Sequence, residues 1–120
     1  MSDYGDRIAA LADRARRDRE EFEPSAVPME ERAGRLLREG VGPAVALYVE
    51  AHTGGDHYRF SPGELALLER AMNDWLDLYA RCYGVRLDAD FTVREAAELL
   101  VETRDVTDTA QLLTNVPDRQ

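Results

Sequence analysis

The hydrophobic pattern is drawn most sharply between Ser61 and Gly84, SPGELALLERAMNDWLDLYARCYG. Leu65, Leu68, Met72, Trp75, Tyr79 and Cys82 recur at alternating steps of three and four, which keeps them on one side of a helix. At about 100° per residue, Leu67, Ala71, Leu76, Leu78 and Tyr83 widen that side to roughly half the circumference, more than one partner helix can cover. Glu69, Arg70, Asn73, Asp74, Asp77 and Arg81 fill the other half, which is expected to be wet, with Asp77 pairing to Arg81 one turn on. The ends are marked as well. Ser61, Pro62 and Glu64 form a capping box with proline at the first helical position, and Gly84 followed by Val85 supplies a left-handed stop. This long helix is expected at the centre of the molecule.

The remaining elements are shorter. A first helix opens at Asp3 or Asp6 and runs to about Glu23, with Tyr4, Ile8, Leu11, Ala15 and Phe22 inward and Asp18 interrupting the stripe. Pro24, Ser25 and Pro28 break it. A short peripheral helix from Pro28 to Arg38 carries Met29, Ala33, Leu36 and Leu37 inward, with Gly40 as its stop. Gly42 and Pro43 restart the chain into AVALYVEAH, whose apolar run fits a buried strand or a helix. Its alanines and leucine, the preceding proline and the closing Gly54 and Gly55 favour a helix lying against the central one.

Tyr58, Arg59 and Phe60 form an extended lead-in that packs an aromatic near Ser61. After Gly84, Thr92 and Glu95 make a second capping box for a helix from Val93 to Thr103 that buries Val93, Ala96, Ala97, Leu99, Leu100 and Val101. Asp105 or Thr107 caps a last helix with Val106, Ala110, Leu112 and Leu113 inward, ended by Asn115 and Pro117. The reading is a single all-α domain over residues 1–120, a compact bundle of five or six helices around a long central one, with residues 1–5 and 117–120 frayed.

Composition narrows the function classes. There are 24 Asp and Glu against 15 basic residues, and every basic residue is an arginine. A net charge of −9 repels phosphate polyanions and anionic membranes before contact forms. Lysine-free acidity points to a salt-loaded cytoplasm or to coding bias, the first being favoured, because excess carboxylates keep a protein in solution in brine. No apolar run is long enough for a membrane span, and the charged start MSDYGDRIAALADR lacks the apolar core of a signal peptide. The cytoplasm is the expected location. The single cysteine, Cys82, falls on the apolar side of the central helix and is expected to be a buried, inert thiol.

Candidate chemistry is sparse. The run RARRDREEFE from Arg14 to Glu23 reads as a solvated face with internal acid and arginine pairs, the alternative being an arginine patch for phosphate. In HTGGDHYRF, His52, Asp56 and His57 with nearby Glu50 are ligand types, and Asp56 could orient His57 as a base. Two histidines five apart across a glycine turn match no metal-site spacing, so no catalytic, cofactor or metal residue is assigned and no cofactor is expected.

FTVREAAELL, Phe91 to Leu100, resembles the first helix of excisionase-type helix-turn-helix domains, and a second helix follows. The resemblance implies a DNA-binding regulator using residues 92–115. It departs in DVTDTAQLLTN, which offers Gln111 and Asn115 beside Asp105 and Asp108 but no basic side chain for phosphates. ALLERAMNDWLDLYARCYGV and RDVTDTAQLLTNVP resemble small uncharacterised acidic proteins of halophilic archaea, which implies source and compartment but lends no catalytic residue. The expected function is therefore a non-enzymatic interaction or accessory protein with a protein partner, itself or another. The alternatives are the helix-turn-helix regulator and an enzyme or metal-binding protein using the 52–57 loop.

Overall fold

The computed structural model describes residues 3–53 and 58–117, and in it the capping signals act where the sequence places them. The chain is all-α: α1 (Asp3–Glu21), α2 (Glu30–Leu36), a π-helical turn (Leu37–Val41), α3 (Gly42–Thr53), α4 (Pro62–Arg81), α5 (Val93–Thr103) and α6 (Val106–Thr114). There is no strand among the described residues. The Cα radius of gyration, 14.0 Å, is close to the about 14 Å of a packed chain this long. Among the described residues no helix is long and apolar enough to cross a membrane. Asp3 to Gly5, where fraying is expected, are already helical.

At the start of α4 the Ser61 hydroxyl accepts the Glu64 N–H at 3.1 Å, and the Glu64 carboxylate takes the Ser61 N–H at 2.9 Å. At its end Gly84 adopts φ +79°, Val85 N–H reaches back to the Ala80 carbonyl and Gly84 N–H to that of Arg81. This pair of bonds satisfies carbonyls that the helix leaves open. Thr92 and Glu95 form the second box, Asp105 takes the N–H groups of Thr107 and Asp108, and Arg104 and Asn115 close α5 and α6 in the left-handed conformation.

Leu68, Met72, Trp75, Leu76, Leu78 and Tyr79 of α4 are fully buried, with Ile8 and Ala15 of α1, Leu37, Val41, Val45 and Leu47 of the α2–α3 stretch and Val93 of α5. The most extensive helix pairing is α4 on α1. Against expectation, α3 packs more extensively on α5 than on α4.

Gly40 is not a stop. The chain from Glu30 to Thr53 stays helical through the π-helical turn, in which Gly42 N–H bonds the Leu37 carbonyl, five residues back. Pro43 has no N–H to give the Glu39 carbonyl, and Arg14 donates to that carbonyl instead at 2.5 Å. The wide turn brings Gly40 onto the Trp75 indole so closely that a Cβ there would lie 2.5–2.8 Å from the ring. The segment expected to be peripheral thus runs straight into the core. Asp18 interrupts the α1 stripe for the same reason: its carboxylate accepts the Trp75 Nε1–H at 2.8 Å.

The polar half of α4 is only partly wet: Arg70 is exposed, Glu69, Asp74, Asp77 and Arg81 are half-buried and Asn73 is buried. Asn73 is only 9% exposed, and the extended segment after Gly84 lies along this side. Asp77 accepts the Ala89 N–H at 2.6 Å, Asn73 exchanges two bonds of 2.9 Å with Phe91, and Glu69 accepts the Val93 N–H at 2.9 Å. Glu69, Asn73 and Asp77, one turn apart, therefore serve as acceptors for alternate residues of an extended chain, as a neighbouring strand would. The Asp77–Arg81 pair does not form; the Arg81 guanidinium lies 4.9 Å from the Phe22 ring centre. Burial pushes the Asp77 carboxyl above its ordinary value, and the Ala89 N–H draws it back.

Tyr79 ties the far end of α6 to α4 by donating its hydroxyl to the Val116 carbonyl at 2.6 Å. Burial pushes that hydroxyl up to about 12. An acid whose folded pKa is raised contributes stability that is whole below its unfolded value, about 10, and is lost as pH rises toward the folded one. Tyr79→Phe is expected to cost about 1 to 2 kcal/mol at neutral pH, because a buried carbonyl loses its partner. It should also shallow the fall in stability above about pH 10, leaving the share of Tyr4, Tyr83 and Cys82, whose pKa values desolvation also raises. Denaturant melts across that range in both proteins give the comparison; parallel curves would contradict it.

Candidate functional site

The last turns of α3 set Tyr48, Val49, His52 and Thr53 on the side that faces α5. Local bonds fix them. The Thr53 hydroxyl donates to the Val49 carbonyl at 2.8 Å, His52 Nδ1 lies 3.1 Å from the Tyr48 carbonyl, and the imidazole packs on the Tyr48 ring with centres 4.2 Å apart. Across from them α5 presents Arg94, Ala97, Glu98 and Val101. Between the two helices runs an open, largely apolar groove of about 400 Å³. Val101 is 63% exposed in its wall.

On the other side of Tyr48 and His52 lies a second cleft of about 400 Å³, completed by Ala51, Tyr58, Arg59, Phe60 and Leu65. Its aromatic wall is continuous: Tyr4 packs on Tyr58 at 4.8 Å, Tyr58 on Phe60 at 5.3 Å, and Phe60 on Tyr48 at 6.0 Å. The extended lead-in to α4 is as expected, and Tyr58 donates its hydroxyl to the Glu64 carboxylate at 2.8 Å. The Ser61 N–H first, and Tyr58 second, hold the Glu64 carboxyl below the usual range.

Of the candidates in and beside the histidine loop, the structure places His52 and Glu50. His52 takes part in the groove, but Asp56 and His57 lie outside the described residues. Glu50 is bonded to Arg7 at 2.5 Å. Among the described residues no group of three or more His, Cys, Asp or Glu is placed to hold a metal. Cys82 is buried, and burial pushes its thiol up, away from thiolate reactivity.

The arginine-rich part of α1 is largely occupied by acids of α1 and α4. Arg16 bonds Asp13 and Glu20, Arg17 pairs with Asp13, and Arg19 bonds Asp74 at 3.0 Å. In the α5–α6 hairpin Gln111 is half-buried, while Leu112, expected inward, is 56% exposed, Thr109 and Thr114 taking the buried positions instead.

Val101, expected in the core, lies instead in the wall of the α3–α5 groove. α5 turns Val93, Ala96 and Ala97 inward with Leu100 half-buried, and Val101 lies beyond that arc beside Glu98 and Glu102. Its position between two glutamates was the available signal. What the groove offers chemically is apolar surface with a charged rim, suited to receiving side chains.

Comparison with curated proteins and with solved structures finds no match. A protein-family model does match, and over nearly the whole length: the chain belongs to the family described as Domain of unknown function (DUF8055), which covers residues 2–118.

Proposed function

We propose that this is a small non-enzymatic interaction protein of the cytoplasm that binds another protein through the α3–α5 groove. One observation carries the reading: Val101, a large apolar side chain, is 63% exposed in the wall of a groove whose other members include Tyr48, Val49 and Ala97. Exposed apolar surface gathered into a concave site favours association, since burying it releases about 25 cal/mol per Å². Duplex DNA is a poor occupant, because α6 carries no basic residue and has Asp108 one turn before Gln111.

The test is affinity capture from native high-salt lysate with the wild type and Val101→Glu, whose exposed position leaves the fold intact by circular dichroism. Proteins retained by the wild type and lost with the variant are expected. Identical recovery from both, or none from either, would remove the reading.

The acidity itself we attribute to a salt-loaded cytoplasm, on the strength of a −9 charge built without lysine. The melting temperature should then climb steeply between about 0.1 M and about 2 M KCl as carboxylate repulsion is screened. A flat or falling curve would leave coding bias as the cause.

A further inference from the structure

We infer that the occupant of the α3–α5 groove is a basic amphipathic helix of a different protein. This rests on the interaction reading above and names the partner's chemistry. The observation is the charge of the groove's rim.

On its outer side α5 carries Glu95, Glu98 and Glu102, all exposed, against the single arginine Arg94. That arginine is already engaged, its Nε–H donating to Glu98 at 3.2 Å. Glu95 is committed to the Thr92 N–H and hydroxyl. Beside Val101, Glu102 pairs with no basic group among the described residues, and Glu98 keeps acceptor capacity beyond its bond to Arg94. The apolar part of the lining is Tyr48, Val49, Ala97 and Val101, with His52 and Thr53 beside them.

From Arg94 to Val101 the α5 wall extends about two helical turns, roughly 10 Å at 1.5 Å per residue. A helix presenting apolar residues at i, i+3, i+4 and i+7 fills such a groove, and arginine or lysine beside that ridge meets the glutamates. A second copy of this chain does not fit the same logic. It would bring two bodies of net charge −9 together at an acidic rim, where complementarity demands the opposite sign.

The probes are three labelled peptides of roughly five helical turns. One has a leucine ridge flanked by arginine, one has the same ridge flanked by glutamate, and one keeps the arginines but replaces the leucines with glutamine. Fluorescence anisotropy across a salt series is expected to show the first binding at least about tenfold more tightly than either control, weakening with salt. Val101→Glu should weaken that binding by about tenfold or more although it adds a negative charge, which separates the groove from diffuse attraction to an acidic surface. The paired variant Glu98→Gln and Glu102→Gln should weaken binding and flatten its salt dependence.

The inference is overturned if the glutamate peptide binds as well as the arginine one, or if Val101→Glu leaves binding unchanged or tightens it. It is equally overturned if sedimentation shows a dimer of this chain that Val101→Glu dissociates. Should capture from lysate yield a partner dependent on Val101 while the arginine peptide fails, only the partner's chemistry is wrong. If no such partner is captured, the interaction reading itself falls.

Discussion

Trp75→Ala is expected to lower the free energy of unfolding by about 3 to 5 kcal/mol, the range for deleting a large aromatic from a packed core. Trp75 is fully buried in the middle of α4. Three separate elements are fitted to it. Gly40 lies against one part of the ring, the Arg14 guanidinium sits 5.6 Å from the ring centre, and Asp18 accepts the indole N–H. Removing the ring leaves a cavity, and it also leaves the Asp18 carboxylate without its donor, so the α1 and π-helical contacts loosen together. Denaturant melts would show it directly; a loss under about 1 kcal/mol would mean the neighbours collapse into the space without cost.

The second large effect is predicted for Gly40→Ala, and here two physical pictures give opposite signs. Were Gly40 merely a residue within a helix, alanine would stabilise it by up to about 1 kcal/mol through helix propensity. Because a Cβ at this position would come within 2.5–2.8 Å of the Trp75 ring carbons, the substitution must instead push the indole or the turn aside. A net loss of about 2 to 3 kcal/mol is expected, as for other overpacked cores. The penalty belongs to the pair. In a Trp75→Ala background the same substitution should cost little or become favourable, giving a coupling of about 2 kcal/mol or more in a double-mutant cycle. Additive losses would show that Gly40 is required by its own backbone conformation and not by the ring.

Features settled by neighbours in sequence were legible. The boxes at Ser61 and Glu64 and at Thr92 and Glu95, the Gly84 stop and the Asn115 stop each depend on residues within one turn, so the pattern alone suffices. What escaped depends on residues far apart. Gly40 resembles a stop until Trp75 is placed against it, and Asp18 resembles a flaw in a stripe until the same indole reaches it. Asn73 and Asp77 were read as solvated because polar side chains usually are, yet backbone N–H groups need acceptors wherever a chain is laid across a helix. The groove was half visible. His52 drew attention by its chemistry, and it stands with Tyr48 in a wall whose other half, on α5, is set by how α3 and α5 pack.

The segment leading into α5 has a property that loops seldom share. Residues four apart on a helix are about 6.0 Å apart along its axis, and residues two apart on an extended chain are about 6.6 Å apart. This near-coincidence of pitch lets Asp77, Asn73 and Glu69 meet Ala89, Phe91 and Val93 in turn. Substitutions along it can be absorbed, since the bonds are made by its backbone. Its length cannot change as freely: one inserted or deleted residue shifts every later N–H by one place and turns carbonyls toward the carboxylates. Among relatives, this connection should vary in letters while keeping its count.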